Sequence, residues 1–350
     1  MAEIKVGQIG YRGRGRELAP FWSDVEGARL AAVADMVPEH IEDARTDFPD
    51  IAVYGSHAEM LEAERLDIVV IATSPHFRPP IVKDVAASDV RGIYMEKPIA
   101  NSLAEADVMI EQCRAGNTVL SIGHQRRWTP RVRHVRDAIE DGAIGRPTHG
   151  LSYWTAGRIG SNGTHFLDMI NFVIGSDPVE VTGTVHHGTD REHTDYNEAL
   201  EERMAKDPGA MGQVRYANGY RHLIYCMPDV LLPHTHMFCG SRGRIDVFEM
   251  DEEDVLYRAR DEDTKDMRSR STLTPRDLGT PPVVAGEAET NGYRELVDCI
   301  RTGRPSTSSG EDGLMALEIV VAFHLSSEAG GSPVALPIPA KDRGYEMHLN

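Results

Sequence analysis

The stretch Ile4-Lys5-Val6-Gly7-Gln8-Ile9-Gly10-Tyr11-Arg12-Gly13-Arg14-Gly15 decides the fold. A β-rich run enters a glycine-rich turn, and Leu18, Phe21, Trp22 and Val25 then recur at helical spacing. Strand, glycine turn and helix in that order open a dinucleotide-binding unit. Its first glycine makes the tight turn and its last lets the helix pack closely on the strand. Counted from Gly10, the G-x-G-x-x-G fingerprint is met at Gly10 and Gly15 and broken at Arg12. Gly13, one residue later, can supply the backbone freedom a pyrophosphate needs, while Arg12 reaches toward phosphate or solvent.

Working outward, a second strand at residues 30–34 ends at Asp35, twenty residues after Gly15. A carboxylate there can accept hydrogen bonds from both ribose hydroxyls of NAD. A 2′-phosphate would meet like charge, and Met36 and Val37 offer no cation to offset it, so NAD is favoured over NADP. A helix-capping role ahead of Pro38 is compatible with this one. Residues 67–72 (Asp-Ile-Val-Val-Ile-Ala) are apolar after the first, as a strand buried on both faces of a parallel sheet must be. Runs at 91–95 and 119–123 continue the series, so residues 1–123 read as a doubly wound α/β (Rossmann) domain with a parallel sheet.

After Gly123 the strand-like runs lengthen and alternate, at 148–154, 179–187, 219–227, 230–239 and 244–249. Among them one helix is well signalled: an Asn162-Gly163 turn, Thr164 as cap, apolar Leu167, Ile170, Phe172 and Ile174, and Gly175 as stop. Residues 124–350 are therefore expected to form an α+β second domain on a large, mainly antiparallel open sheet. Residues 190–207 read as a polar excursion, and 249–282 as loops and a solvated face.

The chain has 350 residues, with 37 Lys and Arg against 55 Asp and Glu, a net charge of −18. That excess argues against nucleic acid, whose phosphates demand concentrated cations. No run approaches the ~20 apolar residues a membrane helix needs, so no membrane partner is expected. The N-terminus runs straight into a strand, leaving no room for a signal peptide, and Cys113, Cys226, Cys239 and Cys299 are too widely spaced for a zinc ribbon or redox pair. Reduced thiols in a cytoplasm are the expectation. His234 and His236 share a strand face, and His186-His187 are adjacent, but no Cys or carboxylate accompanies them at ligand spacing, so no metal is expected.

The run Tyr94-Met95-Glu96-Lys97-Pro98-Ile99-Ala100, followed by a helical stretch at 103–113, resembles the glucose–fructose oxidoreductase/inositol dehydrogenase/rhizopine catabolism (Gfo/Idh/MocA) family. Further stretches are similar in the same order. They are Ala72-Thr73-Ser74-Pro75-His76, Gly123-His124-Gln125-Arg126-Arg127-Trp128-Thr129-Pro130, Gly142-Ala143-Ile144-Gly145-Arg146-Pro147, Gly163-Thr164-His165-Phe166-Leu167-Asp168 and Ser309-Gly310-Glu311-Asp312-Gly313-Leu314. The resemblance spans nearly the whole chain except about 180–290. It implies NAD(P)-dependent oxidation or reduction of a sugar, cyclitol or related polyol, and a homodimer or homotetramer joined through the C-terminal sheet. It also implies Lys97 and His165 as the catalytic pair, whereas the usual acidic position four residues before the histidine holds Ser161. Two other outcomes fit the resemblance: redox-assisted glycoside cleavage with retained NAD, and a silent NAD-binding sensor.

The residue types suit these roles. Lys97 falls at the carboxyl end of a parallel strand, the edge where doubly wound sheets bind ligands. Desolvation or a nearby cation can lower a lysine from its usual ~10.4 toward a working base, which arginine cannot match. The chain holds six lysines against thirty-one arginines, which makes a lysine here telling. His165, in the first turn of its helix, is favoured as neutral imidazole by the helix-end potential, and Asp168 shares its face. The expected cofactor-binding residues are Gly10, Tyr11, Arg12, Gly13, Gly15, Asp35, Thr73, His76, Glu96, Lys97 and Arg126. Those expected for substrate are Lys97, Trp128, Tyr153, Arg158, Ser161, Asn162 and His165, since guanidinium, amide and hydroxyl groups suit polyols and an aromatic face suits sugar C–H surfaces.

Overall fold

Four consecutive apolar residues, Ile68-Val69-Val70-Ile71, can all be buried only within a sheet covered on both faces, and all four are fully buried. The computed structural model describes residues 3–154, 157–187, 206–227, 234–248, 254–258 and 274–347. In it the foreseen parallel strands form as β1 (Ile4–Ile9), β2 (Ala28–Ala34), β4 (Ile68–Ile71), β5 (Gly92–Met95) and β6 (Val119–Ile122), joined by the short β3 (Ala52–Tyr54). Their order is β3-β2-β1-β4-β5-β6, all neighbours parallel, which puts the switch point between β1 and β4. Helices α1 (Arg14–Leu18), α2 (Pro38–Asp47), α3 (His57–Ala63), α4 (Arg78–Ala86) and α5 (Leu103–Ala115) connect them. Ser56 and Ser102 cap α3 and α5 by accepting from the Glu59 and Glu105 amides. The side chains of those glutamates in turn accept from Gly55 N and Asn101 N, so each helix start is closed from both sides.

The chain divides into two compact units, Met1–Trp128 with Val284–Leu317 and Gly344–Asn350, and Thr129–Val283 with Glu318–Arg343. Sequence patterning had placed a single boundary after Gly123, with residues 124–350 continuous. The difference has a packing cause. The helix Glu287–Thr302 carries Tyr293, Leu296, Val297 and Ile300 along one stripe, and these join the core of Ile4, Val6, Trp22, Ile68, Tyr94 and Trp128. Tyr293 stacks on Trp22 at 4.0 Å with the rings nearly parallel.

In the second unit, nine described strands form one sheet. They are β7 (Pro147–Tyr153), β8 (Pro178–His186), β9 (Gly209–Tyr216), β10 (Arg221–Cys226), β11 (Thr235–Gly240), β12 (Gly243–Phe248), β13 (Val255–Arg258), β14 (Thr274–Asp277) and β15 (Val334–Ala335). Their order is β14-β13-β12-β11-β7-β10-β9-β8-β15, antiparallel throughout except for β10 beside β7. Helices α6 (Pro130–Glu140) and α7 (Gly163–Ile174) belong to this unit, and α7 ends at Gly175 in the left-handed region, as its stop signal implied. The expectation of loops and a solvated face over 249–282 is corrected. Strands β13 and β14 lie there, and Asp254 is fully buried, taking the Arg131 guanidinium on both oxygens at 2.9 and 2.6 Å. Residues 190–205 and 230–233 lie outside the described residues.

One face of this sheet carries a buried polar chain. Ser152 Oγ lies 2.6 Å from His222 Nε2 and 2.8 Å from His236 Nδ1, and Tyr220 Oη lies 3.2 Å from His222 Nδ1. The His236 ring packs 5.1 Å from Phe166 of α7, so this is the face that α7 covers. Burial, reinforced by His236 and His149, holds His222 well below the usual imidazole range. The unfolded chain takes up that proton near pH ~6.5, the folded one only well below, so stability falls as pH drops through about 6.5. The melting temperature is expected to fall between pH 7.5 and 5.5, and to fall less in His222→Gln. Equal slopes for the two proteins would contradict this.

Candidate active site

The turn after β1 is built to let backbone approach backbone. Gly10 has φ +89°, and a Cβ there would sit 3.1 Å from the Ala72 carbonyl group; one on Gly15 would collide with the Gly10 carbonyl oxygen. Gln8, fully buried, donates through Nε2 to Gly10 O (3.0 Å) and Gly15 O (2.7 Å), closing the turn from beneath. Gly13 also has positive φ (+49°), at the helix start, and Arg12 is exposed.

Asp35 ends β2 with one carboxylate oxygen accepting from Tyr11 N (2.8 Å) and the other from Val37 N (2.9 Å). Oδ2, which takes only Tyr11 N among the described contacts, keeps a lone pair for a ligand hydroxyl. His40 Nδ1 stands 3.1 Å from the same carboxylate, a group the neighbouring positions 36 and 37 gave no hint of. Beside Asp35 opens a cavity of about 290 Å³, lined by Gly10, Met36, His57, Thr73, Phe77 and Ile81 among others. Met36 (75% exposed) and Phe77 (48% exposed) leave apolar surface at its rim, suited to a flat base. Pocket, glycine cradle and carboxylate together fit the adenosine half of a dinucleotide.

At the same sheet edge, a residue that sequence patterning did not single out organises the loops. Arg78 opens α4 and is only 2% exposed. Its guanidinium donates to Thr73 O through Nε (3.0 Å) and Nη2 (2.7 Å), and through Nη1 to the carbonyls of Glu96 and Pro98. Those last two carbonyls flank Lys97, so Arg78 fixes the backbone on both sides of it and ties it to the loop after β4. Burial pushes Arg78 down to about 10, partly opposed by Glu96, and it remains charged near neutrality. Glu96, buried, accepts from Gln125 Nε2 at 2.9 Å and lies 3.6 Å from Arg14 Nε. Lys97 is half-buried. Thr73 and His76 lie in the loop at the cavity edge, His76 exposed against Phe77, and Arg126 is half-buried after β6.

Two expected ligand-binding side chains in this unit serve the core instead. Tyr11 is fully buried, its hydroxyl donating to Asp47 Oδ2 at 2.9 Å, which raises its pKa together with burial. Trp128, 1% exposed, packs against Gly292 and donates to the Glu295 carboxylate.

In the second unit, His165 and Asn162 are half-buried at the start of α7, and Asp168 is fully buried. Helical bonding begins before α7, with Asn162 N and Gly163 N both donating to Arg158 O and Thr164 N to Gly160 O. Arg158 itself has φ +63°. Ser161 is buried and bonded to Asp207, a residue no sequence signal marked. Tyr153 is corrected. It pairs with Tyr225, on the parity of Leu151 and Leu223, whereas Ser152 has the parity that faces α7. Tyr153 therefore lies on the sheet face opposite His165.

Comparison with known proteins agrees with this architecture. Residues 4–124 match the oxidoreductase family's NAD-binding Rossmann fold, and 150–336 its C-terminal alpha/beta domain. The chain belongs to the Gfo/Idh/MocA oxidoreductase family. It is 27% identical over 328 residues to a D-apiose dehydrogenase from Paraburkholderia graminis, covering 88% of this chain and 84% of that one. It is 24% identical over 346 residues to a myo-inositol 2-dehydrogenase from Thermotoga maritima, covering 93% and 96%. An oxidoreductase from Agrobacterium radiobacter, solved with NAD+, L-tartaric acid and magnesium, shares the fold with a TM-score of 0.78 at 22% identity, over 95% of this chain and 98% of that one.

Removing the Arg78 guanidinium leaves two buried carbonyls and one half-buried carbonyl without this donor, at about 1–3 kcal/mol for each buried one before relaxation. Arg78→Ala is expected to lower the urea midpoint by the equivalent of about 3 kcal/mol and to weaken NAD binding about tenfold or more. An unchanged midpoint and unchanged NAD affinity would show that these loops hold without it.

Proposed function

We propose that this protein is an NAD-dependent dehydrogenase or reductase that acts on a secondary hydroxyl of a sugar, cyclitol or related polyol. The observation that carries the proposal is the shared edge at the carboxyl ends of β1, β2, β4 and β5. There Tyr11 N ties the glycine turn to the Asp35 carboxylate, and Arg78 ties the loop after β4 to the backbone on both sides of Lys97. The long relatives named as sugar and inositol dehydrogenases support the substrate class.

NAD, when bound, would supply the hydride acceptor for the carbinol carbon. Lys97 and His165 hold the hydroxyl proton: each can accept it on oxidation and return it on reduction. Gly10, Gly13 and Gly15 offer backbone to the pyrophosphate, and Arg12, exposed beside them, offers a cation. Asp35 receives the adenosine ribose hydroxyls and repels a 2′-phosphate, favouring NAD over NADP. Thr73, His76, Glu96 and Arg126 border the cofactor. Arg158, Ser161 and Asn162 meet the polyol beside His165. The outer face of the second sheet, with Met211 and Leu223 exposed at 44% and 47%, suits a second copy of the chain in a homodimer or homotetramer.

Incubation with NAD and a panel that includes D-apiose and myo-inositol is expected to produce NADH. Lys97→Ala should lose about 100-fold or more in kcat while NAD binds within about threefold of wild type. Turnover near the wild-type rate in that variant would remove Lys97 from the chemistry, and a preference for NADP would contradict the role given to Asp35. Leu223→Glu is expected to shift the assembly to a smaller species in light scattering. An unchanged mass would place the interface elsewhere.

A further inference from the structure

The carboxylate that borders the adenosine cavity has an imidazole beside it. His40 Nδ1 lies 3.1 Å from Oδ1 of Asp35, the oxygen that also accepts from Val37 N at 2.9 Å. The His40 side chain is 19% exposed and that of Asp35 9%. A ring nitrogen that turned its lone pair toward a carboxylate at this distance would be repelled, so Nδ1 carries the first ring proton. A second proton therefore enters and leaves at Nε2. It takes the pair from one net negative charge to none without breaking the contact.

Among the described residues, no other basic side chain pairs with Asp35. The remaining ionisable groups around α2 are committed elsewhere. Arg16 of α1 holds Asp43 at 2.9 Å and Asp47 at 2.7 Å. Tyr11 Oη, from the glycine turn, donates to Asp47 Oδ2, and Tyr54 Oη, from β3, donates to Glu64 Oε1 at 3.0 Å. On α2 itself Glu42 pairs with Arg45, and Glu39 is exposed. His57, which lines the same cavity from α3, has its Nε2 3.0 Å from Asp84 Oδ2. The charge at the ribose end of the cavity is thus set by two groups, Asp35 and His40.

A 2′-phosphate brings roughly 1.5 to 2 negative charges where NAD has a neutral hydroxyl. Asp35 repels it while His40 is neutral, and a charged imidazole offsets that repulsion at its source. Histidine is the side chain that changes charge between about pH 5 and 8. We infer that His40 is a specificity-determining residue that makes the choice of cofactor depend on pH. NAD is strongly preferred while the imidazole is neutral, and a cofactor bearing a 2′-phosphate is tolerated once it is charged. His40 acts through Asp35 and takes no part in the hydride or proton steps. The inference rests on the NAD-dependent reading above.

The test measures equilibrium binding of NAD and NADP at about pH 8.5 and about pH 6, with ADP-ribose and its 2′-phosphate as probes of the adenosine half alone. Wild type is compared with His40→Asn, which keeps an N–H near the Nδ1 position and takes no charge, and with His40→Arg, which is charged throughout. The 2′-phosphate takes up a proton of its own near pH ~6 whatever the protein, so His40→Asn supplies the baseline. In wild type the ratio of NAD to NADP affinity is expected to fall about fivefold or more beyond that baseline as pH drops. His40→Asn should match the wild-type ratio at about pH 8.5, and His40→Arg should lower it about tenfold at both pH values. The two ADP-ribose probes should reproduce each shift, which confines the effect to the adenosine half. Equal slopes in wild type and His40→Asn, or a ratio unchanged in His40→Arg, would overturn the inference. If His40→Arg fails to fold, the comparison of wild type with His40→Asn decides alone. Wild type that binds neither dinucleotide, or that prefers NADP at about pH 8.5, would instead overturn the NAD-dependent reading on which the inference rests.

Discussion

A buried guanidinium on backbone carbonyls is the contact on which the cofactor-side geometry depends. Parallel strands end in unpaired carbonyls, and a ligand-binding edge must satisfy them without filling the crevice. Arg78 does this from behind, at the first turn of α4, for the carbonyls of Thr73, Glu96 and Pro98. A planar fork of five donors can serve three acceptors in fixed directions, which an ammonium cannot. The loop that bears Lys97 therefore inherits its position from a residue on a different βα unit.

The same logic explains the arginine-rich cation content of an acidic chain. Arg127 bonds Thr307 O and pairs with Asp312, and Arg131 grips Asp254 with two nitrogens. Each is a buried cation whose desolvation is offset by directional bonds that the compact ammonium of a lysine would not reproduce. On this background Lys97, half-buried in the loop after β5, stands out as one of only six lysines in the chain. The carboxylates at Asp254 and Asp207 are the acidic counterpart, buried where they can accept several bonds at once.

The parallel sheet was legible because burial on both faces leaves an unmistakable apolar run, as at β4. The glycine turn and Asp35 were legible because their spacing follows from backbone geometry. Strand β3 was too short to show a period. In β9, Gly209 and Gly212 break the apolar row and Met211 lies exposed, and β13 and β14 are hidden in charged sequence whose buried Asp254 finds its partner, Arg131, far along the chain. The same cause hides Arg78 and Asp207. Each does its work through contacts with residues brought near only by the fold, and neither sits in a local pattern. Trp128 and Tyr153 misled for the converse reason: an aromatic residue near a site has the composition of a sugar platform whether its ring faces the ligand, the core or the opposite side of a sheet.

The proposed function requires hydride to pass between a polyol carbon and a nicotinamide bound at this edge. The most direct test is to supply NAD and a polyol carrying deuterium at the carbinol carbon, then weigh the cofactor recovered. NADH that gains one deuterium is the result predicted here. Product formed while the recovered cofactor stays unlabelled and oxidised would contradict net hydride transfer and assign this fold a different reaction.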